Sequence, residues 1–411
     1  MRHVVIGNGI SGISAIEAIR SIDRDSSITL IAGETFPPYS RPMISMVLEG
    51  AVRSDRLPIR SEAFYQSHGV EAKIGEWVTG IDTENRLVKT DRGNSFPYDR
   101  LLIATGANPR PLKAQGTDLP NIFFMRTRDH VQGMIDAMDA GARSALVLGG
   151  GLVGLKATYG LLRRGIKVKL LIRSGYPLSM QVDEYAGKIL LGELTSRGLE
   201  VQVGAEPAAF EGNGRVREAV LTDGTRHRCD IAVIGKGVNP AVSFLPKDKI
   251  EVDLGIVVDD HLQTGMPGVF AAGDVAEHFD IVRKTRWVNA IWPVAVEQGR
   301  IAGLNMAGRK VTYSGSLSRN VVRIFGTDIL TAGIVNPPAD GAFESISRHD
   351  ARSKTYRKLV FREDKLVGLV MLNRVEQGGV LMSLIHHEVP IRIPREKLLS
   401  HSFNYSQLLM K

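Results

Sequence analysis

The chain repeats one local pattern twice, and that duplication restricts the possible folds more than any other feature. The first copy runs His3-Val4-Val5-Ile6 into Gly7-Asn8-Gly9-Ile10-Ser11-Gly12, after which Ile13, Ile16, Ile19 and Ile22 recur every three residues. Residues 28–31 supply a second apolar run. The second copy runs Ala145-Leu146-Val147-Leu148 into Gly149-Gly150-Gly151-Leu152-Val153-Gly154. Leu155, Tyr159 and Leu162 carry the helix that follows, and residues 168–172 form the next strand. Strand, glycine turn, striped helix and strand within roughly 30 residues make a βαβ unit. The spacing therefore predicts two of them.

A G-x-G-x-x-G turn in that setting has a chemical reading. The first glycine allows the tight turn, the second lets the backbone approach a pyrophosphate, and the third lets helix and strand pack closely. The phosphates then meet unpaired N–H groups at the helix N-terminus. One such turn is weak evidence, but two framed alike predict two dinucleotide sites. At the end of the second strand an acid normally accepts from ribose hydroxyls. The first copy has Ala32 at the simplest such position and Glu34 two residues later. The second has Ile172-Arg173-Ser174 and no acid. Arginine there suits a 2′-phosphate and favours NADP; the alternative is a solvated arginine beside an NAD site.

Composition narrows the classes. The 411 residues exceed one ordinary domain, and 43% apolar with 23% charged residues fits a globular protein with several cores. No apolar run approaches the ~20 residues of a membrane span. Met1-Arg2-His3 leads straight into the first strand without a signal-peptide pattern, so a cytoplasmic protein is expected. The net charge of +8 admits an acidic partner, but no long Lys/Arg tract, aromatic-interleaved basic motif or zinc finger points to nucleic acid. The single cysteine, Cys229, excludes an intrachain disulfide and a cysteine-rich metal centre. It stands at the mouth of the apolar run 231–234 and reads as a packed structural thiol.

Between the copies, residues 36–42 (Phe-Pro-Pro-Tyr-Ser-Arg-Pro) read as an extended loop, because residues before proline avoid the α region. Beyond about residue 313 the pattern changes. Residues 321–325, 358–361 and 366–370 look like strands, and 379–385 like a helix. The expected architecture is α/β, with two Rossmann-like domains and a C-terminal α+β interface domain. The expected boundaries are 1–111 with 245–312 for the first nucleotide domain, 112–244 for the second, and 313–411 for the last.

With these motifs in place, the chain resembles the pyridine-nucleotide–disulfide oxidoreductase superfamily. It is most similar to the branch of rubredoxin and ferredoxin reductases, NADH oxidases and nitrite reductase nucleotide-binding subunits. Five motifs in order carry the likeness: Gly7 to Gly12; Tyr39-Ser40-Arg41-Pro42-Met43-Ile44-Ser45; Leu102-Ile103-Ala104-Thr105-Gly106-Ala107; Gly149 to Gly154; and Val269-Phe270-Ala271-Ala272-Gly273-Asp274. The resemblance implies FAD on the first copy and NAD(P)H on the second. It assigns Gly7, Gly9, Ile10, Ser11, Gly12, Glu34, Arg41, Pro42, Val78, Thr105, Gly106, Gly273 and Asp274 to the flavin site. Pro293 and Ala295 open a helix whose positive end would face the flavin pyrimidine carbonyl, where the reduced ring carries negative charge. Gly149, Gly151, Leu152, Val153, Gly154, Arg173 and Gly237 would hold the nicotinamide nucleotide.

Departures from the family matter for mechanism. The loop position that holds a redox cysteine in several relatives is Pro42 here, and there is no CxxxxC pair. Disulfide reduction is therefore not expected. Relatives also place a lysine after the loop serine and a glutamate after the second fingerprint; here these are Met46 and Lys156. Lys156 is expected to bring the positive charge from the opposite domain, with Met46 packed on the flavin. Cofactors carry such chemistry, and no acid–base group is required. His386-His387-Glu388 lacks the family's H-x-x-x-x-E spacing and reads as structural. The acceptor is expected to be an Fe–S protein of rubredoxin or ferredoxin type, or a larger redox complex. Oxygen reduced to peroxide and a non-catalytic nucleotide-binding module are the alternatives. Arg283-Lys284-Thr285-Arg286-Trp287 could steer an acidic carrier, or be a solvated basic loop. The resemblance also implies a homodimer.

Overall fold

Val4, Val5 and Ile6 are all buried, as are Ala145 to Leu148 in the second copy. Unbroken apolar strands of this kind belong inside parallel sheets covered on both faces. The computed structural model describes residues 1–408. It divides into two units: Met1–Pro42, Asp55–Asn108 and Val238–Ser316 form one, and Met43–Ser54, Pro109–Gly237 and Leu317–Lys411 the other. Residues 43–54, expected with the first domain, belong to the second unit, and this division does not separate the C-terminal segment from the second nucleotide fold.

In the first unit a five-stranded parallel sheet has the order Val269–Ala271, Arg100–Ile103, Arg2–Ile6, Ser27–Ala32, Val70–Ile74. The strand that enters the glycine turn is central, so the turn lies where the strand order reverses. Ligands of open α/β sheets bind at that point. The Ile10–Arg20 helix buries Ile13, Ile16 and Ile19. Ile22, expected on the same stripe, lies beyond the helix and is exposed, because the helix ends at Arg20 and a turn follows. The long Trp292–Met306 helix packs against Ile10–Arg20 through small residues: a Cβ at Gly299 would stand 2.2 Å from the Ser11 carbonyl oxygen, and one at Gly303 2.4 Å from that of Ala15. A three-stranded antiparallel meander (Val78–Asp82, Leu87–Thr90, Ser95–Pro97) completes the unit's duplicated theme.

The second unit repeats the plan. Its parallel sheet has the order Glu200–Val203, Lys167–Ile172, Ser144–Leu148, Ile231–Ile234, Ile122–Phe124, with a meander of Pro207–Glu211, Glu218–Leu221 and Arg226–Arg228. The Leu152–Arg163 helix buries Leu155 and Leu161 rather than Leu162, while Tyr159 turns its ring edge to Phe325, 5.1 Å between centroids. The C-terminal part is a five-stranded antiparallel sheet, ordered Arg319–Ile324, Thr327–Gly333, Lys365–Leu372, Thr355–Arg362, Glu344–Asp350, with the Gly378–His386 helix against it. Among the described residues no helix is long and apolar enough to cross a membrane.

Candidate functional site

The two glycine turns share one geometry. Gly7 and Gly149 have φ of +114° and +110°, which side chains rarely adopt. A Cβ at Gly12 would stand 2.1 Å from the Gly7 carbonyl oxygen, and one at Gly154 1.9 Å from that of Gly149. First and third glycines are thus fixed by the turn and by helix–strand contact. The middle glycines differ: a Cβ on Gly9 or Gly151 would meet nothing within 4 Å. Each is also the N-cap of its helix, with no side chain capping the first turn and no acid in it. Open space beside uncapped N–H groups is what a pyrophosphate needs. The residues present therefore fit FAD and a nicotinamide nucleotide.

Around the first turn the structure gathers most of the expected flavin residues. Gly273, at φ +83°, donates its N–H to Gln298 Oε1 at 2.8 Å, and its Cβ would collide with Ser11 Oγ at 2.3 Å. Asp274 follows, half-buried. Glu34 is salt-bridged to Arg41, and its other oxygen accepts from the Tyr39 hydroxyl at 2.7 Å. Both carboxylate oxygens keep lone pairs for a ribose. Burial opposes the charge on Arg41, but Tyr39, Glu34 and Asp274 more than offset it and raise the guanidinium pKa. The loop that holds Tyr39 is pinned by Ser40 N–H to Leu57 O (3.0 Å) and Ile59 N–H to Pro38 O (2.8 Å). Its end, Arg41–Met43, is a 3-10 turn rather than extended chain. The Thr105 hydroxyl donates to Ala241 O at 2.9 Å, and Gly106 has φ +70°. Val78 is half-buried at the start of a meander strand. Pro293 and the buried Ala295 stand in the first turn of Trp292–Met306, whose N-cap, Ile291, offers no side-chain cap.

Three neighbours were not visible in the motifs. Gln298, 2% exposed, holds the Gly273 N–H. The Tyr65 hydroxyl donates to Asn8 Oδ1 at 3.0 Å. Trp77 lies across Gly33, where a Cβ would stand 2.2 Å from its ring, so it borders the approach to Glu34. Only the phase of Gln298 within its helix was available as a signal.

Around the second turn, Ile10's counterpart Leu152 and the exposed Val153 open the helix. Arg173 projects into solvent at the strand end, 3.7 Å from Glu206, which also pairs with Lys236. Two cations share one carboxylate there. Gly237 has φ +88°, and its carbonyl accepts from Arg110 N–H at 3.0 Å. Lys156 is half-buried, and burial lowers its pKa. Met46 and Lys156 belong to the same unit, contrary to the expectation of opposite domains, because the Ile44–Glu49 helix packs on Leu152–Arg163. Arg164 fixes that contact, donating to Leu48 O at 2.9 Å and Val47 O at 3.1 Å.

Cys229 is 2% exposed, and burial pushes its thiol pKa up to about 12. A thiol so placed is neither nucleophile nor electron relay. The basic segment forms a hairpin, Ala276–Asp280 with Thr285–Trp287. Arg283 lies over the Trp287 ring at 4.4 Å, and Arg286 borders a pocket lined by Glu251, Asp253 and Glu277. Its charge is thus partly answered locally. His386 and His387 end the last helix, exposed.

Residues 1–299 match the family described as pyridine nucleotide-disulphide oxidoreductase. The chain belongs to this family. Residues 319–389 match the rubredoxin NAD+ reductase C-terminal domain. The chain is 30% identical over 400 residues to the assimilatory nitrate reductase electron transfer subunit of Bacillus subtilis (strain 168), covering 97% of this chain and 51% of that protein. It therefore spans about half the length of that relative. It is 32% identical over 277 residues to the ferredoxin–NAD(+) reductase subunit of the benzene 1,2-dioxygenase system of Pseudomonas putida, covering 67% of each. Among solved structures, the reductase in a covalent putidaredoxin reductase–putidaredoxin complex superposes with a TM-score of 0.89 at 22% identity, over 99% of this chain and 98% of that one. This last likeness is one of fold.

Proposed function

We propose that this oxidoreductase moves electrons from NADPH or NADH through FAD to an Fe–S protein or a complex-bound acceptor, without a redox thiol. The observation that carries the reading is the pair of open, uncapped glycine turns together with a sole cysteine sealed in the second core. Bound flavin supplies the conversion of a two-electron donor into single-electron steps. The chain's residues do the rest. Gly9 and Ile10 receive the FAD pyrophosphate on N–H groups, Glu34 accepts from its ribose, and Asp274 from its ribityl chain. The N-terminus of Trp292–Met306 places positive potential at the pyrimidine edge. Gly151 to Gly154 seat the nicotinamide nucleotide, and Arg173 with Lys236 favours a 2′-phosphate. Lys156, already short of solvent, supplies positive charge toward the flavin. The relatives' names, an electron transfer subunit and a ferredoxin reductase, support an Fe–S acceptor. We place the protein in the cytoplasm, and as a homodimer through the edge strand of the C-terminal sheet, which leaves Val321 67% exposed.

Anaerobic titration of the FAD-loaded protein tests this. NADPH or NADH should bleach the flavin stoichiometrically, and reduced protein should then pass electrons to rubredoxin or ferredoxin much faster than to oxygen. Failure to bleach would leave a nucleotide-binding module; fast peroxide formation with no Fe–S reduction would make it an oxidase. Arg173→Ala should lower the NADPH-to-NADH ratio of kcat/KM. Lys156→Met should slow bleaching while leaving FAD bound.

A further inference from the structure

A pocket in the C-terminal sheet gathers positive charge for which the electron-transfer reading has no use. Arg348 of Glu344–Asp350 stands directly opposite Arg357 of Thr355–Arg362 in the antiparallel register. Like charges so paired destabilise a sheet unless something answers them. Arg348, Asp350, Thr355 and Arg357 share one face by the two-residue period, and Arg374, Leu399 and His401 close over it, leaving a cavity of about 70 Å³. One water needs only about 10–15 Å³ on this scale, so there is room for a polyatomic ligand.

Arg357 forms the floor. It is 3% exposed, and one terminal nitrogen donates to Gln377 Oε1 (2.8 Å), Ser400 O (2.9 Å) and Leu398 O (3.1 Å). Its Nε is buried with no hydrogen-bond partner among the described residues. Arg348 and Arg374 are exposed at the rim, and among the described residues neither has a side-chain hydrogen bond or ion pair. The acid in the lining, Asp350, is held ionised by its own turn, accepting from Arg352 N–H (2.9 Å), Ser353 Oγ (2.8 Å) and Ser353 N–H (3.4 Å), and offsets only one of the three guanidinium charges. Glu376 acts on Arg357 only at longer range. Burial first, then the charges of Arg357, Arg374 and Arg348, hold the His401 imidazole below its ordinary pKa, so the three guanidiniums share one field.

We propose that this pocket binds a tetrahedral oxyanion of the phosphate class, either free phosphate or a phosphomonoester. Guanidinium forks match such oxygens in pairs, and the lining supplies three guanidinium groups, those of Arg348, Arg357 and Arg374. The site lies in the C-terminal domain and does not depend on the electron-transfer reading.

Calorimetry on the FAD-loaded protein tests it with inorganic phosphate and with methyl phosphate. One saturable site per chain is expected. Arg348→Gln and Arg374→Gln, which remove no hydrogen bond seen among the described residues, should each weaken binding at least about tenfold, without lowering the melting temperature of the phosphate-free protein, which Arg348→Gln should raise by relieving its repulsion with Arg357. Binding of both probes marks the phosphate group itself as the ligand, whereas binding of inorganic phosphate alone marks the free ion. No saturable heat into the tens of millimolar, equal competition by chloride, or unaltered binding in the double variant would overturn the assignment.

Discussion

At the residue scale, the middle and third glycines of a fingerprint turn do different work, and substitution separates them. Gly9 has φ −83° and open space at its Cβ, so Gly9→Ala should fold normally without cofactor. Its methyl would then occupy the approach of the pyrophosphate, and FAD affinity should fall about tenfold or more. Gly12→Ala places its methyl 2.1 Å from a backbone oxygen that cannot swing away. It should destabilise the apoprotein by about 1–3 kcal/mol or more. Apoprotein melting and fluorescence titration with FAD check both; equal effects on folding would show that the turn is only structural. The first and third glycines were legible because a positive φ or a close backbone contact forces that residue type at fixed offsets. Tyr65, Trp77 and Gln298 were not, since each reaches its partner across the fold, and tyrosine, tryptophan and glutamine serve many purposes. Leu162 and Ile22 show the limit of periodicity: a stripe states the repeat but not its phase or its end.

At the scale of elements, the strands and helices were legible because their apolar runs are long and the sheets bury both faces. The approach of two helices was not. Gly299 and Gly303 permit Trp292–Met306 to lie against Ser11 and Ala15, yet glycine inside a helix ordinarily reads as a weakness. Helix propensity alone would have alanine stabilise each site by about 0.8–1.0 kcal/mol. Gly299→Ala should instead destabilise, because its methyl meets the Ser11 carbonyl at 2.2 Å. Gly192, exposed in the Glu184–Ser196 helix with nothing within 4 Å, is the control and should gain the full propensity term. Denaturant midpoints of the two variants should move in opposite directions. A gain at both sites would mean the helices do not rely on this contact.

At the scale of the whole molecule, the duplication foretold two parallel sheets, but the partition of the chain was hidden. Asp183 accepts from the Tyr356 hydroxyl at 2.7 Å and pairs with Lys358 at 3.3 Å, and Asn336 donates to Val182 O at 3.0 Å. Contacts over such sequence distances leave no periodic trace, so the association of the C-terminal sheet with the second nucleotide fold could not be read in advance. The first unit has its own global property, a sensitivity to acid. His3 is 1% exposed, neither ring nitrogen has a hydrogen bond among the described residues, and it faces Asp23 at 3.7 Å, with Arg20 and the N-terminus also acting on it. His278 is 2% exposed, faces Asp260 at 3.3 Å and feels Asp259. Burial dominates the carboxylates in both cases and lowers both pKa values. The folded unit therefore refuses protons that the unfolded chain accepts near pH 6.5. Stability should be complete above that value and fall as pH drops below it, by up to about 1.4 kcal/mol per pH unit for each histidine until its folded pKa is reached. Depressed carboxylates act only at lower pH: Asp99, held near about 2 by Arg2, contributes stability that is lost below the usual aspartate range. Between pH 7 and 5 the histidines should control the slope of the urea midpoint, with FAD release following the same curve. His3→Gln and His278→Gln should each flatten it, and a midpoint constant from pH 7 to 5 in the unaltered protein would show that the two rings are protonated without cost.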